Sequence, residues 1–255
     1  MSSPQVDLVL VLDASASMAP CFKALCAHLK AVLMPLQGHV ATVNFGLLAQ
    51  SVGKRGKSHV VRFSFLGGES DVLDELYRHG PGEQIGRDHF FTTDAQRVVS
   101  RMEEVEVSGD EDMLIALDTA ADFPFGPLAT TKRVIALFSD EKFETGAFGR
   151  ETAGQLPALM QKIQARHIQL FAAVPEGKIA EELSAVDRSE VEFVRGGDGL
   201  AAVDFGQLLR QMGKSISASV TQMGKEADYE KGLFGQAQWG RSAGEFSADN
   251  LGWRQ

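Results

Sequence analysis

Three short segments of the chain, residues 6–12, 133–138 and 168–174, are nearly unbroken runs of Val, Ile, Leu, Ala and Phe. Each has the length of a strand and is too short for a buried helix. A strand that is apolar on both faces must be covered on both, as happens in a parallel sheet between two helical layers. Helical patterns separate these runs: residues 20–36, ended by Gly38; a segment capped by Asp94 and running to Val105; residues 112–122; residues 152–166; and residues 179–186. Residues 40–48 and 60–66 read as two strands joined across Gly53-Lys54-Arg55-Gly56-Lys57, and therefore as an antiparallel pair at a sheet edge. Residues 191–194 read as a last strand and 202–220 as a last helix. Residues 67–93 carry a weaker pattern, with a short helix at 72–78. The segment Phe123-Pro124-Phe125-Gly126-Pro127 stops a helix and reads either as an exposed apolar patch or as a rigid loop packed under the sheet.

Strands alternating with helices predict an α/β fold. The expected architecture is a Rossmann-like, doubly wound, mostly parallel sheet with one antiparallel edge strand and helices on both faces. In such sheets a ligand site lies at the carboxyl ends of the strands, where the strand order reverses. That directs attention to the residues just after the first and fourth expected strands, Asp13 and Asp140.

Composition narrows the function. Hydrophobic residues make up 44% and charged residues 23%, enough apolar material for a large core and too much for a chain disordered throughout. Lys and Arg number 25 against 34 Asp and Glu, a net charge of −9 that disfavours nucleic acid and anionic membrane surfaces as partners. No apolar run reaches the ~18 residues of a membrane span. Residues 1–6 lack the basic start of a secretory signal, so a cytoplasmic location is the default expectation. Cys21 and Cys26 are too few for a disulfide framework or a four-ligand zinc site, and read as buried thiols. Two regions are expected: one domain over residues 1–220, and a Gly- and aromatic-rich arm over 221–255 that holds both tryptophans, Trp239 and Trp253. The arm either drapes over its own domain or docks on a partner through those two side chains.

The chemistry concentrates in three loops. Asp13-Ala14-Ser15-Ala16-Ser17 presents one carboxylate and two hydroxyls directly after the first strand. These are hard oxygen donors, suited to Mg²⁺ or Mn²⁺ rather than to soft metals. A serine hydroxyl is a weak ligand alone and needs nearby carboxylates. Ser108-Gly109-Asp110-Glu111-Asp112 and Ser139-Asp140-Glu141 can supply them. Turn formation and helix capping are the competing account of the same residues.

Residues 6–17 resemble the opening strand and D-x-S-x-S motif of a von Willebrand factor type A (vWA) domain. Ser139-Asp140 is similar to that family's later aspartate, and residues 109–117 to its middle loop. The resemblance covers about residues 5–220 and is to the intracellular bacterial type of member. It implies a metal-ion-dependent adhesion site made by Asp13, Ser15, Ser17, Asp140 and a middle-loop residue, holding Mg²⁺ (or Mn²⁺ or Ca²⁺). The family's middle loop normally supplies a threonine ahead of a helix containing Ala-Leu. Counting back from Ala116-Leu117 places Glu111 in that slot, with Asp110 the alternative if the register slips by one. Glu141 stands where the family usually has glycine. Up to three anionic groups around one divalent ion would weaken its pull on an acidic partner group, so the site is expected to be a modified one.

The resemblance implies a non-catalytic protein-binding and assembly module that meets another protein at its metal face. Partners of intracellular members include ATPases, kinases and stress-response components. No nucleophile-plus-base pair, G-x-G-x-x-G, phosphate loop, G-x-S-x-G or H-E-x-x-H appears in the chain. Two other functions compete: an Mg- or Mn-dependent, phosphatase-like hydrolase using Asp13 and Asp140, and a structural scaffold acting through the arm. A phosphoaspartate hydrolase needs a second aspartate two residues after the first, where Ser15 stands.

Overall fold

Strand β1 (Gln5–Asp13) is buried from Val6 to Asp13 and lies at the centre of the sheet. Its side chains alternate between two cores, as the strand period of two requires. Val6, Leu8, Leu10 and Leu12 join one core, and Val9 and Val11 join the other. The computed structural model describes residues 5–36, 42–52, 58–63, 73–75, 87–144 and 153–194, with Lys214 beyond them.

Strand β1 pairs in parallel with β2 (Thr42–Val52) on one side and with β5 (Thr131–Phe138) on the other. Beyond β5 follow β6 (Ile168–Pro175) and β7 (Ser189–Val194), also parallel. Beyond β2 lie β3 (Ser58–Phe63) and then β4 (Leu73–Glu75), each antiparallel to its neighbour. The order is β4-β3-β2-β1-β5-β6-β7, and the winding reverses at β1. The architecture is the α/β, Rossmann-like one expected, with one difference at the edge. Two antiparallel strands stand there instead of one, because residues 73–75 form a strand where a short helix was expected. Val72, Leu73, Leu76 and Tyr77 have helical spacing, but the outer edge of β3 offers unpaired backbone groups whose pairing overrides that local pattern.

Helix α1 (Ala19–Leu36) and α3 (Ala95–Glu103) cover one face, inserting Leu25, Leu29, Val98 and Met102 into the first core. On the other face α4 (Met113–Ala121), α5 (Leu156–Ala165) and α6 (Lys178–Ser184) insert Leu117, Ile163 and Leu183. Each fully buried Leu, Ile or Val contributes roughly 1.5–3 kcal/mol, so these faces hold the sheet in place. Asp94 caps α3 by accepting from the Gln96 and Arg97 amides, and Asp112 caps α4 by accepting from the Ile115 amide. Cys21 and Cys26 are buried thiols, not joined in a disulfide, on the inner face of α1.

The amino end of β1 is closed by a second feature. Asp7 is fully buried, and its carboxylate accepts a two-pronged contact from the Arg87 guanidinium at the start of α2 (Arg87–Phe90). It also accepts from Asn44 Nδ2 at 2.9 Å and from the Gly126 amide at 2.7 Å. The 123–127 segment is therefore a rigid loop under the sheet. Phe123 is fully buried and packs against Phe90, Phe91 and Phe125.

The expected turn at 53–57, the expected helix at 202–220 and the arm at 221–255 with Trp239 and Trp253 lie outside the described residues. Among the described residues no helix is long and apolar enough to cross a membrane.

Candidate metal centre

Three loops converge at the carboxyl ends of β1 and β5, adjacent strands on either side of the point where the winding reverses. Asp13 ends β1 and is fully buried. Its Oδ1 accepts from the Ser15 amide at 2.8 Å, a local turn that rigidifies the motif. Its Oδ2 accepts from Ser139 Oγ at 2.5 Å, which joins the first loop to the third. A second bridge runs the other way: Ser17 Oγ donates to Asp140 Oδ1 at 2.8 Å, with Ser15 Oγ 2.9 Å from Ser17 Oγ. Four oxygen-bearing residues expected from sequence, Asp13, Ser15, Ser17 and Asp140, are thus linked in one constellation.

The middle loop reaches the site through its backbone. The Ser108 amide donates to Ala14 O at 2.8 Å, and the Ala16 amide donates to Gly109 O at 2.9 Å. Gly109 has φ 76°, a left-handed conformation that glycine adopts without strain. Asp110 exchanges both main-chain bonds with Val52 at the end of β2, and its side chain is exposed. Glu111 is buried, with 8% exposure, as is the helix-capping Asp112.

Electrostatics at the site are one-sided. Burial pushes the Asp13 carboxyl up to about 6, against the lowering effect of its bonds from Ser139 and Ser15, and the negative charge of Asp140 adds to the rise. Burial pushes Glu111 up to about 7, reinforced by the charges of Asp13, Glu141 and Asp110. Asp112 is also raised by burial. The charges that raise Asp13 and Glu111 are those of neighbouring acids, and neither group makes a salt bridge among the described residues.

The donor chemistry fits a hard cation of the Mg²⁺ type: two carboxylates and two hydroxyls, brought together on rigid turns. Among the described residues no three Asp, Glu, His or Cys side chains cluster closely enough to hold an ion unaided, so the serine hydroxyls are needed to complete a set. Of the two middle-loop candidates, Glu111 approaches the centre, whereas Asp110 contributes its backbone and a more distant charge. Ser139 was missed in the sequence because its role depends on facing a strand end 126 residues away.

The fold is a vWA-like α/β one. The protein is similar in structure to a von Willebrand factor type A from Catenulispora acidiphila, with TM-score 0.50 and 18% identity over 82% of this chain and 42% of that one. It is also similar to the pilus adhesin SpaC from Lactobacillus rhamnosus GG in an open conformation (TM-score 0.50, 16% identity, 85% of this chain and 30% of that one). A third similar structure is proximal thread matrix protein 1 from the mussel byssus (TM-score 0.50, 14% identity, 82% and 47%). The chain spans less than half the length of each. At these identities the likeness is one of fold. No family model matches the chain, and no curated protein matches it in sequence.

Proposed function

We propose that the protein is a non-catalytic binding and assembly module that engages another protein through a divalent-metal site at the carboxyl end of the sheet. One observation carries this reading. The pair of bridges Asp13–Ser139 and Ser17–Asp140 gathers oxygen donors from two distant loops at the switch point, around a buried Asp13 that makes no salt bridge among the described residues. Ser15, Ser17, Asp13 and Asp140 would hold Mg²⁺, or Mn²⁺ or Ca²⁺, with Glu111 alongside. The ion would supply positive charge that a partner's oxygen donors can meet.

The partners of the hydroxyls favour binding over catalysis in this reading. Ser15 and Ser17 contact each other and Asp140, and no His or Lys acts as a base on them among the described residues. Two of the similar structures are an adhesin and a thread matrix protein, which suits an attachment or assembly role. The partner class we favour is an intracellular ATPase, kinase or stress-response component, with no nucleic acid and no membrane, in keeping with the charge of −9.

The test compares wild type with Asp13→Ala as bait, each with and without chelator. A partner held only by wild type, and only with Mg²⁺ present, supports the reading. Retention that ignores both the chelator and the substitution overturns it. Mg²⁺-dependent phosphatase activity abolished by Asp13→Ala would replace it with a hydrolase.

A further inference from the structure

Strand β2 ends beside the metal centre, and its residue Gln50 is fully buried there, opposite Asp13 in the parallel register. A buried primary amide must be hydrogen-bonded to be tolerated. Gln50 uses its groups on two different loops. Its main-chain oxygen accepts from the Ala14 amide at 2.8 Å, holding the first loop. Its side-chain Oε1 accepts from the Asp112 amide at 2.8 Å, across 62 residues of sequence, holding the end of the middle loop.

Two residues further along β2, Val52 donates to Asp110 O at 2.6 Å and accepts from the Asp110 amide at 3.0 Å. Asp110 and Asp112 are therefore both tied to the last residues of one strand, and Glu111 sits between the two ties. The Val52–Asp110 pairing is an isolated bridge, so no continuing ladder holds Asp112. On its helix side Asp112 is held by capping α4, and on its strand side its amide is held by the side chain reaching out from β2. With both flanks fixed, the Glu111 side chain stays buried beside Asp13 instead of swinging into solvent.

From this geometry we infer that Gln50 is a positioning residue of the metal centre, which clamps the middle loop through Asp112 and so keeps Glu111 at the site. The inference rests on the metal-binding reading above. It adds a residue outside the three site loops, acting on the ion through the loop it holds.

The test is a double-mutant cycle in Mg²⁺ affinity, using the full chain and Mg²⁺ alone. Gln50→Met keeps the side-chain length and withdraws the acceptor; Gln50→Asn, which draws the acceptor back by one methylene, replaces it if that variant does not fold. Gln50→Met and Glu111→Ala should each weaken Mg²⁺ binding by about tenfold, the scale found when groups supporting metal ligands are removed. The double variant should bind within about twofold of Glu111→Ala. In parallel, exchange of the Asp112 amide should quicken by at least about tenfold in Gln50→Met, with the slowest core amides unchanged. A variant that melts earlier but binds Mg²⁺ like wild type shows a purely structural glutamine and overturns the inference. Multiplying effects in the double variant, or an unchanged Asp112 amide, also overturn it. If wild type and Asp13→Ala alike fail to respond to Mg²⁺, the metal reading itself falls and takes this role with it. That outcome differs from a wild-type response that Gln50→Met leaves intact.

Discussion

Asp7 and Asp13 are six residues apart on β1, on the same face of the strand, and both are fully buried. Their surroundings are opposite. At the amino end, Asp7 receives the Arg87 guanidinium together with Asn44 and the Gly126 amide. At the carboxyl end, among the described residues, Asp13 receives neutral donors from Ser15 and Ser139, and the charge acting on it is that of another acid, Asp140. A buried carboxylate needs a counter-charge or must give up its own charge. Among the described residues Asp7 has that counter-charge and Asp13 does not. The first arrangement is a structural rivet; the second is where we propose that a cation from outside binds.

The largest expected effect comes from breaking the balanced end. Arg87→Ala leaves the Asp7 carboxylate buried without its cation and should lower unfolding free energy by about 3–5 kcal/mol, read by chemical denaturation. Mg²⁺ should not restore that loss, because the site lies at the other end of the strand.

The unbalanced end should respond to pH in the metal-free protein. The folded-state value for Asp13 is raised from 3.8 to about 6, so the native state binds more protons than the unfolded chain across that interval. Stability from this group is therefore greatest below about 4 and falls as pH rises through about 6, a loss on the order of 3 kcal/mol at neutral pH. Glu111, raised from 4.5 to about 7, has the same sign and extends the fall towards pH 7. Asp13→Asn keeps the shape and removes the charge. At pH 7.5 without metal it should melt above wild type, and it should lose any Mg²⁺ response.

Two smaller effects sharpen the contrast. Gly109→Ala forces an L-residue into a φ of 76° and should cost about 1–2 kcal/mol, with a weaker Mg²⁺ response because Gly109 O holds the Ala16 amide. Ser139→Ala removes the hydroxyl that lowers the Asp13 value, so carboxyl-carbon NMR titration should place Asp13 above about 6.

Legibility in the sequence followed how local each determinant is. The strands β1, β5 and β6 were readable because burial on both faces writes a continuous apolar run. The cap Asp94 was readable because capping joins residues two or three apart. The D-x-S-x-S motif was readable as a cluster of oxygen donors for the same reason. Contacts that depend on sheet order were not. Arg87 meets Asp7 across 80 residues, Ser139 meets Asp13 across 126, and Gln50 meets Asp112 across 62. None of these pairs leaves a periodic trace. One signal was present: Asp7 interrupts an otherwise apolar run, and a charge in such a strand requires a partner. Strand β4 escaped because its three residues owe their form to the free edge of β3 rather than to their own pattern.

The most direct measurement is the melting temperature of metal-stripped wild type and Asp13→Ala across an Mg²⁺ titration at pH 7.5. Cation binding at the acidic end stabilises the native state as the ion saturates, by about 2.7 kcal/mol at a hundredfold excess over the dissociation constant. The wild-type curve should therefore climb by several degrees into the millimolar range while Asp13→Ala stays flat. Two curves that superimpose, rising or flat, would contradict a metal centre at Asp13.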